Sequence, residues 1–111
     1  MNSKVNNSIV KTAINSDGIL RLILNNPANH NVLSEEMMEN IQLSLNKATK
    51  DKKTRVIIIS AEGSTFSAGH DLKELKSARQ NPDKGKNYFK KVMLKCSELM
   101  QSIVKSPKPI I

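Results

Sequence analysis

Residues 55–72 read RVIIISAEGSTFSAGHDL, and the order of residue types along that stretch decides the fold. Arg55 to Ser60 holds four consecutive β-branched aliphatics, Val56, Ile57, Ile58 and Ile59. They show no polar alternation, which predicts a short strand buried on both faces, as in a parallel sheet. Ala61-Glu62-Gly63-Ser64-Thr65 predicts a loop. Phe66 to Leu72 then turns into a short helix running from Asp71 to about Ala78. A small-small-Gly turn lets backbone come close to a ligand. N–H groups at a helix start lack intrahelical acceptors and can donate to an anion or to a polarised carbonyl oxygen. A tight strand-to-helix connection without a ligand would use the same residues.

Working outward, Ser8 to Asn15 and Ile19 to Leu24 read as two strands joined by Ser16-Asp17-Gly18, a hairpin turn signal. In the second strand Leu20, Leu22 and Leu24 alternate with Ile19, Arg21 and Ile23. The polar run Asn25 to Asn31 contains Pro27 and predicts a loop. Ser34 is a good N-cap, Glu35 and Glu36 suit a first helical turn, and Met37, Ile41, Leu45 and Ala48 recur on one face. A helix from about Glu35 to Lys50 follows. Strand, helix and strand in that order imply a parallel pair with a right-handed crossover. Downstream, Asn81 to Gly85 breaks the short helix. A long one runs from about Tyr88 to Lys105 with Phe89, Val92/Met93, Cys96, Leu99/Met100 and Ile103 as its apolar stripe. Pro107 and Pro109 stop it, and Ile110-Ile111 reads as the opening of a further buried strand. The pattern looks cut in mid-domain.

The chain has 111 residues, enough for one core and no second domain. Its longest aliphatic run is too short to cross a bilayer. Residues 1–10 carry no signal-peptide core, and the single Cys96 excludes an internal disulfide. A cytosolic setting is the default expectation. Net charge is +8: residues 1–72 hold eight Lys/Arg against seven Asp/Glu, and residues 73–111 ten against three. Such a basic segment can meet nucleic acid, acidic lipid, a phosphorylated ligand or an acidic partner, though AT-rich codon bias would also favour Lys, Asn and Ile. Only Phe66, Tyr88 and Phe89 are aromatic. No helix-turn-helix, zinc-finger or RNA-binding signature is present, so a nucleic-acid module is disfavoured.

The succession LNNPxxxNVLS, VIIISAEGSTFSAGHDLKEL and SPKPII resembles the N-terminal part of the crotonase (enoyl-CoA hydratase/isomerase) family, over about Ile19 to Ile111. The resemblance implies an α/β fold, the ClpP/crotonase spiral of ββα units, with residues 1–111 forming an incomplete domain truncated at its C-terminus. It implies binding of an acyl-CoA thioester, stabilisation of its enolate, and coenzyme A as part of the substrate, with no metal and no covalently bound cofactor. By position, the His70 backbone N–H matches one of two oxyanion donors, and Ala68, beside Gly69, a backbone that meets the adenine end. Asp71, Leu72 and Lys73 match the acyl-CoA channel. His30, Asn31, Val32 and Leu33 match the stretch bordering the nucleotide. GHDLKEL is closest to an enoyl-CoA hydratase-domain-containing subgroup. Relatives assemble as trimers or hexamers, largely through their C-terminal part. The family's second oxyanion donor and its catalytic carboxylates lie past the position of Ile111, so the chain alone is expected to be inactive. A non-catalytic fragment and a basic interaction module are the alternatives.

Individual side chains carry plainer readings beside these. The His70 imidazole could act in catalysis, but its main-chain nitrogen is the atom the resemblance selects. His30 and His70 lack a third ligand at metal spacing. Asp71 reads as a helix cap before an acid or base. Lys73 and Glu74 read as solvated, and Cys96 as core.

Overall fold

The computed structural model describes residues 8–111. The expectation for residues 1–10 falls mostly on 1–7, outside the described residues. Two strands, β1 (Val10–Ile14) and β2 (Ile19–Leu24), form the antiparallel hairpin, pairing Val10 with Leu24 and Ile14 with Leu20. Gly18 sits at φ 82° in the turn, and its N–H donates to the Asn15 carbonyl at 3.2 Å. A short 3₁₀ turn, Pro27–Asn29, lies in the loop that follows. Helix α1 (Glu35–Lys50) then begins behind Ser34, whose hydroxyl accepts from the Met37 N–H at 3.0 Å, a cap that contributes about 1 kcal/mol. Strand β3 (Val56–Ala61) pairs parallel with β2, Leu20 beside Ile57 and Leu22 beside Ile59. Two more helices follow, α2 (Leu72–Ala78) and α3 (Lys86–Val104).

The sheet order is β1-β2-β3. Helix α1 lies against β1 and β2, and α3 packs on α1. Leu22, Leu24 and Ile57 from the sheet meet Met37, Met38 and Leu99 from the helices, all six essentially without solvent contact. Burying each such side chain stabilises by roughly 1.5–3 kcal/mol. At the far edge of β3 the Ile57 N–H donates to the Pro109 carbonyl at 3.0 Å and the Ile111 N–H to the Ile57 carbonyl at 2.9 Å. Ile110 therefore pairs parallel with Ile57, the strand opening that Pro109-Ile110-Ile111 predicts.

Two expectations need correction, the second in part. In β3 only Ile57 is fully buried, while Val56, Ile58 and Ile59 are half-buried. The sheet has helices on one face here, so the other face keeps partial solvent contact. The stripe of α3 differs at its first position only: Val92 and Leu99 are buried and Cys96 and Ile103 pack beside them as expected, with Tyr88 in place of Phe89. Met93 and Met100 are exposed, and Phe89 turns toward α2 rather than into the core. At the two positions where neighbouring residues were alternatives, Val92 and Leu99 are the ones in the core; the expectation fails at Phe89, which gives way to Tyr88.

Candidate functional site

Two loops meet above the ends of β2 and β3. One runs from Pro27 into α1 and the other from Phe66 into α2. They pair as a short parallel ladder: the Ala68 N–H donates to the His30 carbonyl at 3.0 Å, and the Leu33 N–H to the Gly69 carbonyl at 2.7 Å. Leu33 and His70 are bridge partners. Between the loops lies a cleft of about 370 Å³, lined by Ala28, Asn29, His30, Val32, Ala68, His70, Asp71, Leu72 and Lys73.

Seven of the ten residues singled out in the sequence line this cleft. The other three support it. Asn31 is fully buried beneath the loops, with φ 51°, a left-handed conformation that Asn tolerates better than most residues. Its side-chain amide donates to the Glu62 and Thr65 carbonyls, both at 2.9 Å, and its Oδ1 accepts from the Asn26 N–H at 2.6 Å. The Ser67 hydroxyl donates to the Asn31 carbonyl at 2.8 Å and accepts from the Gly69 N–H at 3.2 Å. Gly69 itself stands at φ 90°, where an L side chain is strained. The sequence reading missed Ala28 and Asn29, for which no local pattern exists, and Ser67 as a tie between the loops.

The ladder has a consequence at His70. The N–H groups of Ala68 and Gly69 are engaged, whereas among the described residues the His70 N–H donates to no partner. Its imidazole Nδ1 is shielded from solvent and also lacks a partner among them. Asp71 caps α2, its Oδ1 accepting from the Lys73 N–H at 3.0 Å.

Glu74 departs from its expected solvated state. It is half-buried, and its Oε1 accepts the Glu35 N–H at 3.1 Å, across from α2 to the start of α1. Tyr88 of α3 lies beside both carboxylates. Burial, then the charges of Glu74 and Glu35, push its phenol up to about 12. Lys91 Nζ stands 3.2 Å from Glu35 Oε1 without a directed hydrogen bond. Lys95 donates to Glu39 at 2.6 Å, and this contact lowers the Glu39 carboxyl and raises the Lys95 ammonium.

Larger grooves exist, about 820 Å³ beside Leu72, Leu75 and Phe89 and about 580 Å³ between α1 and α3. Both are larger than the cleft between the loops, whose wall carries the unpartnered His70 N–H. Among the described residues no three His, Cys, Asp or Glu side chains gather as a metal would require, and no helix is long and apolar enough to cross a membrane.

The elements form a parallel βα unit with an unpartnered N–H after a Gly turn. The sequence model of the enoyl-CoA hydratase/isomerase family matches residues 14–111, and the chain belongs to that family. It is 41% identical over 95 residues to enoyl-CoA hydratase domain-containing protein 3, mitochondrial, of Rattus norvegicus, covering 86% of this chain and 30% of that protein. With the Xenopus laevis protein of the same description it shares 44% over 94 residues, 85% of this chain and 30% of the other. The crystal structure of human enoyl coenzyme A hydratase domain-containing protein 3 superposes with a TM-score of 0.78 at 34% identity, covering 92% of this chain and 38% of that one. The fold is thus a crotonase-type α/β unit, and the chain spans about a third of the length of these relatives. The expectation of a cytosolic setting is overturned, because the rat and frog relatives are both named as mitochondrial proteins.

Proposed function

We propose that this chain supplies one wall of an acyl-CoA site in an enoyl-CoA hydratase/isomerase-type protein of fatty-acid or related acyl-CoA metabolism. The thioester carbonyl oxygen accepts from the His70 N–H, which stabilises the enolate as negative charge develops there. The observation that carries this reading is the state of that N–H: it has no partner among the described residues, while the two N–H groups before it are held in the ladder. His30, Val32, Ala68 and Lys73 flank the cleft and offer contacts to the coenzyme A moiety. Coenzyme A enters as part of the substrate, with no role for a metal.

Turnover needs more than this wall. Water addition requires an acid/base pair across the double bond. The carboxylate in the cleft, Asp71, is engaged as a helix cap. A single N–H donor is half an oxyanion hole, and removing one such donor costs roughly 10²–10³ in rate. The chain by itself binds and polarises, and does not hydrate.

The test is a titration of the ¹⁵N-labelled chain with acetoacetyl-CoA and, separately, with an S-alkyl coenzyme A lacking the thioester carbonyl. The His70 amide resonance moves downfield with the first ligand and not with the second. Equal shifts with both would mean that the carbonyl is not the acceptor. No shift with either, combined with salt-sensitive binding to duplex DNA, would favour a basic interaction module.

A further inference from the structure

The ladder between the two loops stops at Leu33 and His70. Beyond it both chains turn into helices, Ser34 capping α1 and Asp71 capping α2. Each cap is internal to its own helix, and neither fixes one wall of the cleft to the other. Glu74 does. Its carboxylate, from the third residue of α2, takes the Glu35 N–H at the first position of α1. That N–H is one of the orphan donors of a helix start, and an acid there is favoured by the helix dipole. Helix α2 also packs on α3. It is seven residues long, Leu72, Lys73, Lys76 and Ser77 face solvent, and Leu75 and Ala78 are its inward residues. The His70 N–H belongs to the planar Gly69–His70 peptide, whose carbonyl the Leu33 N–H already holds at 2.7 Å; Asp71, Leu72 and Lys73, which line the cleft beyond it, follow the placement of α2.

We propose that Glu74 is a positioning residue, holding Asp71, Leu72 and Lys73 in place on the cleft wall by hydrogen-bonding from α2 to the start of α1; the ligand part of this rests on the acyl-CoA reading above. The raised phenol of Tyr88, which senses Glu74 and Glu35 together, is consistent with a carboxylate fixed at that junction. What matters is a reaching acceptor oxygen rather than a negative charge. Gln keeps the reach and an acceptor but loses the charge, and Asp keeps the charge but withdraws the oxygen by one methylene.

The experiment compares the full chain with Glu74→Gln, Glu74→Asp and Glu74→Ala, first without ligand. Hydrogen exchange of the Glu35 N–H and the ¹⁵N heteronuclear NOE of residues 69–73 are measured on each, with a thermal melt to score global folding. Glu74→Asp and Glu74→Ala speed Glu35 exchange by about tenfold, the size expected for a lost cap, and lower the NOE at Asp71, Leu72 and Lys73. Glu74→Gln stays near wild type. Wild-type exchange and NOE in Glu74→Ala would overturn the proposal. So would a Gln variant that behaves like Ala while Asp behaves like wild type, since charge would then be the cause. If Ala unfolds, the Gln and Asp pair still decides. Acetoacetyl-CoA is then added: affinity falls about tenfold in Asp and Ala and less than twofold in Gln. A wild-type chain that does not bind acetoacetyl-CoA refutes the acyl-CoA reading, while the ligand-free comparison continues to judge Glu74.

Discussion

Asn31 shows how much a single residue can hold. Three segments, at Asn26, Glu62 and Thr65, converge on one fully buried amide. Replacing it with Ala leaves two carbonyls and one N–H without their partner, each costing about 1–3 kcal/mol in a buried setting. Asn31→Ala should therefore lower the urea-denaturation free energy by about 3 kcal/mol or more. Asn31→Gly should lose the same bonds but tolerate φ 51° freely, so it should be the milder change by about 1 kcal/mol; equal losses would mean that the left-handed backbone adds nothing. Tyr88 gives a pH test. Its phenol is pushed from 10.0 to about 12 in the folded chain, so the unfolded chain releases that proton first as pH rises. Folding stability falls between about pH 10 and pH 12 for this reason and is unaffected by Tyr88 below that window. In Tyr88→Phe that component of the alkaline slope disappears, which denaturant titrations at pH 9, 10 and 11 would reveal.

At the scale of elements, the sequence announced α1 to the residue, because Ser34, the acids after it and the lysines at its end mark both termini in one dimension. The hairpin was legible for the same reason, since Asp17-Gly18 and the leucine alternation are local signals. The site was legible as a stretch, Phe66 to Lys73, but not as a construction. Asn31 as a hub, Ser67 as a tie and Glu74 as a cross-helix acceptor are tertiary facts, with partners 31–39 residues away, and no periodicity encodes them. Lys108 belongs with them. Its ammonium donates to the carbonyl of Ala48 at 2.8 Å and to that of Asp51, closing the C-terminal end of α1 from nearly 60 residues downstream. A cation there also meets the negative end of the helix dipole. Lys108→Met keeps the apolar stem and removes the donors, so it should cost about 1–2 kcal/mol and speed amide exchange selectively in the last turn of α1. Uniform acceleration along the whole helix would show instead that Lys108 matters through the packing of residues 106–111 on β3.

For the whole molecule the deciding quantity is charge. Net charge is +8, and residues 73–111 carry ten Lys/Arg against three Asp/Glu. Among the described residues three ion pairs stand against this, Lys11–Glu62, Lys91–Glu35 and Lys95–Glu39, the last two joining α3 to α1. All three are partly solvated, and pairs of that kind are worth about 0–1 kcal/mol each. Added salt acts on both terms but unequally. Repulsion among the lysines of α2 and α3 is summed over many pairs, and salt screens it most at separations beyond the Debye length, about 8 Å at physiological ionic strength. The ion pairs sit at 2.6–3.2 Å, inside that length, and keep more of their attraction. Self-repulsion opposes the compact state, so raising NaCl from low to moderate concentration should raise the melting temperature, by about 2–5 °C if the net gain is somewhat under 1 kcal/mol for a chain of this size. Chloride is the proper salt, since sulfate would strengthen apolar burial independently. A melting temperature that falls with NaCl would mean that the α1–α3 ion pairs outweigh the lysine excess, and Glu39→Gln would then erase part of the salt response.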